Sequence, residues 1–379
     1  MYSRKIQERI EKWLFQNKVI ILYGARQVGK TTLAKHILAN CEKQKNLKTS
    51  YFNCEDPIVA DSLIGKSAQQ IHNFLETPDV VVLDEAQSVQ NIGRILKIYH
   101  DQYPQVQIIA TGSSSFDLAN QINEPLTGRS VEFKIYPLSI SEITQKQNQL
   151  SLKSNLPKFL LYGLYPDIVD KNNEISRELV INLSKKYLFK DILNVEGIKN
   201  SNLVYKILKA LAYQLGNEVN YTKLANLVES NKNTVERYID ILEKSFIIFR
   251  LPAFSSNERN EISKTKKIYF YDVGMRNALI EDFGDLNLRS DIGGIWENFC
   301  ILEMLKTYEN EGKNGQFYFW RTYTQQEIDL IVKENSLLHC YEFKWNDRKK
   351  AKLPNSFKES YPNHTFEVIN QDNWLEFVA

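Results

Sequence analysis

The segment Gly24-Ala-Arg-Gln-Val-Gly-Lys-Thr31 limits what this 379-residue chain can fold into more than any other feature. It reads G-x-x-x-x-G-K-T, follows the apolar run from Val19 to Tyr23, and precedes a helical stretch that starts at Lys30. A glycine-rich turn between a buried strand and a helix lets backbone amides surround phosphate oxygens, and the helix N-terminus adds a favourable dipole. The motif therefore predicts a nucleotide-binding loop in an α/β domain.

Each position of this loop has an expected role. Lys30 supplies a positive charge to the β- and γ-phosphates, and the hydroxyl of Thr31 is placed to bind Mg²⁺. The residues predicted to contact the nucleotide are contiguous: Gly24, Ala25, Arg26, Gln27, Val28, Gly29, Lys30, Thr31 and Thr32.

A second apolar run, residues 80–83, ends in the two carboxylates Asp84 and Glu85. An acid at a strand end beside the phosphate loop holds Mg²⁺, which suits Asp84, and Glu85 would then orient the attacking water. Considered alone, the pair is equally consistent with two solvated acids at the end of a strand. With the loop, it predicts ATP and Mg²⁺ as cofactors and ATP hydrolysis as the activity.

Two weaker features fit the same site. The apolar run at 106–110 leads into Thr111, Gly112 and the serines at 113–115, where Thr111 or Ser113 either senses the γ-phosphate or only forms a turn and helix cap. Arg129 has three open roles. It contacts a phosphate of its own chain, contacts a neighbour's phosphate in a ring, or forms a surface ion pair.

These motifs, with Gly128-Arg129 and the stretch from Tyr136-Pro-Leu138 through Glu142, resemble in order and spacing the AAA-type ATPases of bacteria and archaea. More narrowly, they resemble the subgroup whose C-terminal part is a nuclease-like region. The alternation of short apolar runs with helices independently predicts an α/β fold with a parallel sheet. The resemblance implies an AAA+-type core in residues 1–140, a helical lid in residues 141–200, and hydrolysis coupled to movement.

Residues 201–285 are predicted to form a winged helix-turn-helix, because three helical stretches precede two strand-like segments at 247–251 and 266–270. Residues 201–270 hold 11 Lys or Arg against 7 Asp or Glu, which favours contact with double-stranded DNA. Glu236 and Asp240 oppose such contact, and protein docking or oligomerisation is the alternative. The residues predicted to face DNA are Asn231, Lys232, Asn233, Thr234 and Arg237, with Lys264, Lys266 and Lys267 near the wing contacting phosphate.

Residues 286–379 contain acids in an arrangement that could hold a second metal. Glu342 and Lys344 share one face of a predicted strand, Asp329 is embedded in an apolar strand, and Glu297 lies on the apolar side of a predicted helix at 296–308. A carboxylate cluster of this kind binds Mg²⁺ against a scissile phosphate, while the ammonium of Lys344 activates water or neutralises charge.

The order Glu297, Asp329, Glu342, Lys344 resembles the PD-(D/E)xK nuclease family, although no proline precedes Asp329. The resemblance implies a restriction-endonuclease-like α/β domain, with Mg²⁺ held by the three carboxylates and an endonuclease activity on DNA. The alternative is an inactive nuclease-like fold whose charges pair internally, for example Asp329 with Lys344. A net charge of −3 over residues 286–379 gives no general attraction to DNA.

Composition narrows the class of protein. The net charge of +2 excludes a histone-like polybasic binder, and four scattered cysteines without a C-x-x-C pair argue against a zinc site. The N-terminus lacks a signal-peptide pattern and no apolar run approaches membrane-span length, so we expect a cytoplasmic protein without a membrane partner. The expected function is a Mg²⁺-dependent ATPase acting on DNA; the alternative is a nucleotide-controlled protein-interaction switch with an inactive nuclease fold.

Overall fold

A computed structural model describes residues 2–113, 125–186, 198, 200–255, 266–346 and 351–378. Its first part is a sheet of five parallel strands in the order β2-β3-β4-β1-β5. The strands are β1 (Val19–Tyr23), β2 (Thr49–Asn53), β3 (Val80–Asp84), β4 (Gln107–Gly112) and β5 (Ser130–Lys134). Every residue of β1, β3 and β4 is buried, as expected of central strands covered on both faces. The sheet confirms the predicted α/β core.

Helices precede and connect these strands. They are α1 (Ile6–Glu11), α2 (Lys30–Lys45), α3 (Pro57–Leu63), α4 (Ala68–Phe74) and α5 (Ile92–Gln102). Helix α1 ends at Glu11, two residues before Trp13. Phe15 and Asn17 adopt positive φ angles of 62° and 54°, so the chain turns toward β1 and Trp13 is left 37% exposed.

The strand order brings the functional strand ends together. β1 pairs with β4, and β4 pairs with β3, so the carboxyl ends of all three strands lie side by side. In doubly wound sheets, ligands bind at this edge, in the crevice where the strand order reverses. Arg129 directly precedes β5, whose first residue Ser130 is level with Val19 at the start of β1, so Arg129 lies at the opposite edge of the sheet.

Between β5 and residue 186, the structure describes four helices in the stretch predicted to form the lid. They are α6 (Ile140–Ile143), α7 (Gln149–Tyr162), α8 (Pro166–Val169) and α9 (Asn173–Lys186). Helix α7 ends at Tyr162, and the next residue, Gly163, has φ of 80°; an added Cβ there would lie 1.9 Å from a carboxylate oxygen of Asp272. Glycine is therefore required where the lid meets the next part of the chain.

The middle of the chain combines helices with a small antiparallel sheet in the order β6-β8-β7. The asparagines Asn220 and Asn231 cap two of its helices by accepting backbone N–H groups. The elements are α10 (Ser201–Tyr213), β6 (Glu218–Val219), α11 (Tyr221–Leu227), α12 (Lys232–Lys244), β7 (Ile248–Pro252), β8 (Lys266–Phe270) and α13 (Val273–Ile280). The predicted strands at 247–251 and 266–270 correspond to β7 and β8.

The last part of the chain is a four-stranded sheet in the order β12-β11-β10-β9, beside one long helix. Strands β11 and β12 are parallel, and the other pairs are antiparallel. The elements are α14 (Ile292–Glu311), β9 (Gln316–Arg321), β10 (Glu327–Glu334), β11 (Leu337–Phe343), α15 (Asn355–Ser360), β12 (His364–Ile369) and α16 (Trp374–Val378). The backbone N–H of Phe254 donates to the carbonyl of Phe319 at 2.6 Å and ties this sheet to the middle of the chain. In the described ranges, we find no helix with the length and apolar character needed to cross a membrane.

Candidate nucleotide site and C-terminal carboxylates

Two glycines of the loop between β1 and α2 occupy positions where a side chain would be strained. Gly29 has φ of 98°, and a Cβ on Gly24 would lie 2.1 Å from the carbonyl oxygen of Ile135. Lys30 is 4% exposed, and its Nζ donates to the carbonyls of Gly24 and Ala25 at 2.9 Å each. A phosphate beside the loop would offer this ammonium a charged partner in place of two neutral carbonyls.

Asp84, at the end of β3, is held by three hydroxyl groups. Its Oδ2 accepts from Thr31 Oγ1 at 2.8 Å and from the Tyr51 hydroxyl at 2.7 Å, and its Oδ1 accepts from Thr111 Oγ1 at 2.5 Å. Asp84 is 4% exposed, so its orientation is set by these donors rather than by water. Burial raises the pKa of Tyr51, and the hydrogen bond to Asp84 adds to the shift, so the phenol remains a donor.

Glu85 stands next to Asp84 with a backbone conformation that turns it out of the strand. Its φ is 50°, its N–H donates to Thr111 Oγ1 at 3.1 Å, and its carboxylate accepts from Gln87 Nε2 at 2.6 Å. Gln87 Nε2 also donates to Ser113 Oγ at 3.2 Å. Thr111 thus contacts both acidic residues, while Ser113 reaches Glu85 through Gln87. The predicted serines at 114 and 115 lie outside the described residues.

Sequence reasoning missed two residues of this site, Arg4 and Tyr51. Arg4 is 9% exposed and donates to the carbonyl of Val28 inside the loop and to the carbonyl of Tyr136, both at 2.7 Å. It also lines a cavity of about 420 Å³ beside Gly29 and His36. Arg4 reaches the loop, and Tyr51 reaches Asp84, through contacts between residues far apart in sequence. No local sequence signal marks either residue.

Arg129 does not reach this site. Its Nε donates to Asp101 at 2.7 Å at the opposite edge of the sheet, and the five residues of β1 separate it from the phosphate loop by roughly 15 Å. Contact with a phosphate on its own chain is therefore wrong for this arrangement. The surface ion pair is present, with side chains that are 38% and 44% exposed, and the neighbour's phosphate stays a prediction.

Helix α12 exposes the residues predicted to face DNA. Lys232, Asn233 and Arg237 are exposed and Thr234 is half-buried, because the apolar face of the helix packs inward. The guanidinium of Arg237 lies 5.4 Å from the ring of Tyr238. Contact of these residues with DNA stays a prediction.

The described lysines near the predicted wing are less exposed than Lys232 at the start of α12. Lys267 was expected to contact phosphate, and this is wrong, because it is 1% exposed and paired with acids of the C-terminal part. Lys266 is half-buried. Lys264 lies outside the described residues.

Buried ion pairs surround the C-terminal carboxylates. Lys267 Nζ contacts Glu297 Oε1 at 2.8 Å and Glu327 Oε1 at 2.5 Å, and the Tyr269 hydroxyl donates to the same Glu297 oxygen at 2.5 Å. Because strand side chains alternate, Lys267 and Tyr269 share one face of β8. No sequence pattern links this face to Glu297.

The remaining members of the predicted set pair with one another. Lys344 Nζ lies 2.5 Å from Glu342 Oε1 and 3.7 Å from Asp329 Oδ2, and Asp329 Oδ2 also accepts from the backbone N–H of Phe343 at 2.8 Å. Burial raises the pKa of Glu297 to about 7, with Lys267 opposing the shift and Asp329 adding to it. Burial likewise raises the pKa of Glu342 to about 7, and the charge of Asp329 adds to that shift.

This carboxylate set does not fit a metal ion as it stands. Across the described part of the chain, no three or more His, Cys, Asp or Glu side chains are grouped so that they could hold one. The acids have protein donors instead, namely two lysines, a tyrosine and a backbone amide. The structure therefore brings Glu297, Asp329 and Glu342 into one charged neighbourhood and supplies its cations from Lys267 and Lys344.

Three family models match successive parts of the sequence. Residues 16–144 match the model described as "AAA domain", residues 153–288 match "Domain of unknown function (DUF8612)", and residues 292–376 match "Domain of unknown function (DUF4143)". Residues 16–144, which hold the phosphate loop and the five-stranded parallel sheet, are therefore similar to an AAA domain.

Curated relatives match nearly the whole chain at low identity. The uncharacterized protein MJ1544 of Methanocaldococcus jannaschii is 26% identical over 97% of this chain and 84% of its own length. The uncharacterized protein Rv2008c of Mycobacterium tuberculosis is 24% identical over 90% of this chain and 73% of its own.

Solved structures overlap less well. AMPPCP-bound DnaA from Aquifex aeolicus matches with 15% identity over 63% of this chain and 85% of that chain, at a TM-score of 0.31. Cdc6p from Pyrobaculum aerophilum matches with 12% identity over 73% of this chain and 91% of that chain, at a TM-score of 0.28. These overlaps are too weak to transfer a fold or a function to this chain.

Proposed function

We propose that the chain binds ATP with Mg²⁺ and hydrolyses the terminal phosphate. The observation that carries the proposal is the contact between Thr31, at the start of α2, and Asp84, at the end of β3, directly beside the loop that holds Lys30. A hydroxyl and a carboxylate suit Mg²⁺, which prefers few protein ligands together with phosphate oxygens. Thr31 and Asp84 would hold the ion, which when bound neutralises charge on the phosphates.

The protein's own groups would divide the remaining work. The loop amides and Lys30 would bind and orient the phosphates, since the ammonium already lies against the loop. Glu85 would position the attacking water, and Gln87 would fix the Glu85 carboxylate. The Thr111 hydroxyl would fix the two acids relative to each other, because it accepts from the backbone N–H of Glu85 and donates to the carboxylate of Asp84.

Two substitutions separate binding from hydrolysis. Lys30→Ala is expected to weaken nucleotide binding and abolish turnover, while Glu85→Gln is expected to retain binding and lose turnover by about 10²-fold or more. Lys43→Ala, an exposed lysine farther along α2, is the matched control. Phosphate release and titration with a fluorescent ATP analogue give the two readouts, and wild-type ATPase activity in Lys30→Ala would refute the site.

We further propose that the middle of the chain acts as a winged helix that contacts double-stranded DNA through α12. The support is the exposed first turns of this helix, where Lys232, Asn233 and Arg237 face away from the packed side. Phosphate contacts give log K a slope against log salt of about −0.9 per contact. Lys232→Ala is therefore expected to lower affinity and reduce the slope by about one, whereas Lys153→Ala on α7 leaves both unchanged. Binding that does not respond to salt, or no binding, favours protein docking.

For the C-terminal part, we propose an inactive nuclease-like fold that holds no metal, because its carboxylates pair with lysines. It would act instead as a nucleotide-controlled protein-interaction domain. Glu297 and Glu342 each already have a lysine partner within 2.8 Å. We expect plasmid DNA to stay intact with Mg²⁺ or Mn²⁺ and ATP, for wild type and Glu342→Ala alike. Cleavage by wild type that disappears in Glu342→Ala would instead establish the endonuclease.

A further inference from the structure

Residues 138–142, which lead into helix α6 and form its first turn, make hydrogen bonds both to Arg4 beside the nucleotide site and to the C-terminal helix α14. From the first side, Arg4 Nε donates to Glu142 Oε1 at 2.9 Å while its two terminal nitrogens donate to Val28 and Tyr136 carbonyls. Glu142 also accepts from the backbone N–H of Lys5 and of Ser139, at 3.0 Å each. The position of Val28 in the phosphate loop is thus tied to residues 138–142 through one guanidinium.

From the other side, α14 contributes a fully buried ion pair. Glu303 and Lys306 are each 1% exposed and lie 2.7 Å apart. Glu303 Oε2 accepts from the backbone N–H of Ile140 at 2.7 Å, and Lys306 Nζ donates to the carbonyl of Leu138 at 2.8 Å. Side chains more than 160 positions later in the sequence therefore hydrogen-bond directly to the backbone groups of residues 138 and 140.

The hydrogen bonds made by Arg4, Glu303 and Lys306 restrict movement of residues 138–142. A buried donor or acceptor that loses its partner costs about 1–3 kcal/mol, so movement of residues 138–142 requires the groups of Arg4 and α14 to move together. Leu138 also lines the cavity beside Gly29 that Arg4 borders. Six residues before Glu303, about 9 Å along the helix, Glu297 binds Lys267 of β8. Helix α14 thus joins the nucleotide site to the C-terminal ion pairs.

We propose that Glu303 and Lys306 are positioning residues of the nucleotide site, acting through residues 138–142 and Arg4 on the phosphate loop. The effect of this pair on nucleotide binding rests on the proposed ATP site. Its effect on the position of the loop does not depend on nucleotide. Replacing the pair by apolar side chains of similar size, Glu303→Leu with Lys306→Met, removes both contacts to residues 138–142 without leaving a single buried charge.

The test measures amide hydrogen exchange of the loop peptide covering residues 24–33, in the full chain and without nucleotide. The double variant is expected to exchange about three- to tenfold faster there, as expected from the loss of one or two net hydrogen bonds. Glu303→Gln with Lys306→Met, which keeps an acceptor for Ile140 and leaves no unpaired buried charge, should give a smaller change in the same direction and serves if the first double variant does not fold. Glu309→Gln is the control, because it breaks a partly exposed pair between α14 and Arg9 that does not touch residues 138–142.

A titration with a fluorescent ATP analogue gives the functional readout, with an expected three- to tenfold loss of affinity, about the same as the change in exchange. Loop exchange and affinity equal to those of Glu309→Gln would overturn the proposal. If the wild type does not bind the analogue but loop exchange still rises in the variants, the proposed ATP site fails while the coupling stands.

Discussion

Replacing Lys267 by methionine should destabilise the C-terminal part of the protein strongly. Lys267 is 1% exposed and has two acidic partners, Glu297 at 2.8 Å and Glu327 at 2.5 Å. At an effective dielectric constant of about 20, each contact is worth roughly 6 kcal/mol before the cost of desolvating the charges is subtracted. Removing one partner of a buried pair costs about 3–5 kcal/mol net, because the remaining charge stays buried.

The lower end of that range applies here, since Glu327 is 27% exposed and water screens it in part. We therefore expect a loss of about 3 kcal/mol in the free energy of unfolding of this part of the chain. With a typical urea dependence of about 1–3 kcal/mol/M, the unfolding midpoint should fall by about 1–3 M.

Tryptophan fluorescence reports on the right region, because Trp345 and Trp374 both pack against Trp296, the residue next to Glu297. Lys313→Met is the control, since that lysine pairs with Glu311 on the surface and is 53% exposed; it should change the free energy by less than about 0.5 kcal/mol. Adding Glu297→Gln to Lys267→Met should recover part of the loss. A midpoint for Lys267→Met equal to that of Lys313→Met would refute a stabilising role for the ion pairs.

Three other changes have expected outcomes. Burial raises the pKa of Asp272 to about 6 from its usual 3.8, so its stabilising contribution is fully present below about pH 3.8 and is lost as the pH rises through 6. In urea unfolding, the free energy of unfolding of wild type minus that of Asp272→Asn should therefore fall by about 3 kcal/mol between pH 4 and 7. A difference that stays constant over this range would contradict the prediction. Gly274→Ala should cost about 2–3 kcal/mol in the same assay, because its Cβ would lie 2.1 Å from the Tyr162 carbonyl, whereas Gly293→Ala has open space and should not destabilise. Arg129→Ala should leave ATP turnover of dilute protein unchanged, and a loss at every protein concentration would argue against its placement away from the site.

The nucleotide site was predictable where its residues are contiguous or end a strand. Gly24, Lys30 and Thr31 fall in one loop, and Asp84 follows an uninterrupted apolar run, so periodicity and a motif were enough. Arg4 contacts Glu142, and Tyr51 contacts Asp84, across 138 and 33 positions. Contacts of that kind depend on strand order, which a single sequence does not specify.

Charge was harder to interpret than apolar pattern. The sequence suggested a surface lysine at 267 because the whole stretch 201–270 is basic, yet the side chain is buried against acids from another part of the chain. The predicted set Glu297, Asp329, Glu342 and Lys344 does converge, but the structure supplies an additional cation that no local pattern near those residues reveals. Strand β12 was also missed, because half-buried and exposed residues alternate along it and only its last residue, Ile369, is fully buried.

The boundaries between the three matched family models suggest modules that could be separated. The buried hydrogen bonds between the first and the last of them indicate that they could not. The first match ends at residue 144 and the last begins at 292, yet Glu303 and Lys306 satisfy backbone groups at 138 and 140. A fragment cut at either boundary would expose a carbonyl, an amide and a pair of charges that normally never meet solvent. Units of sequence descent and units of cooperative unfolding therefore differ in this chain, and gene fusions or truncations that respect only the former should yield fragments that aggregate.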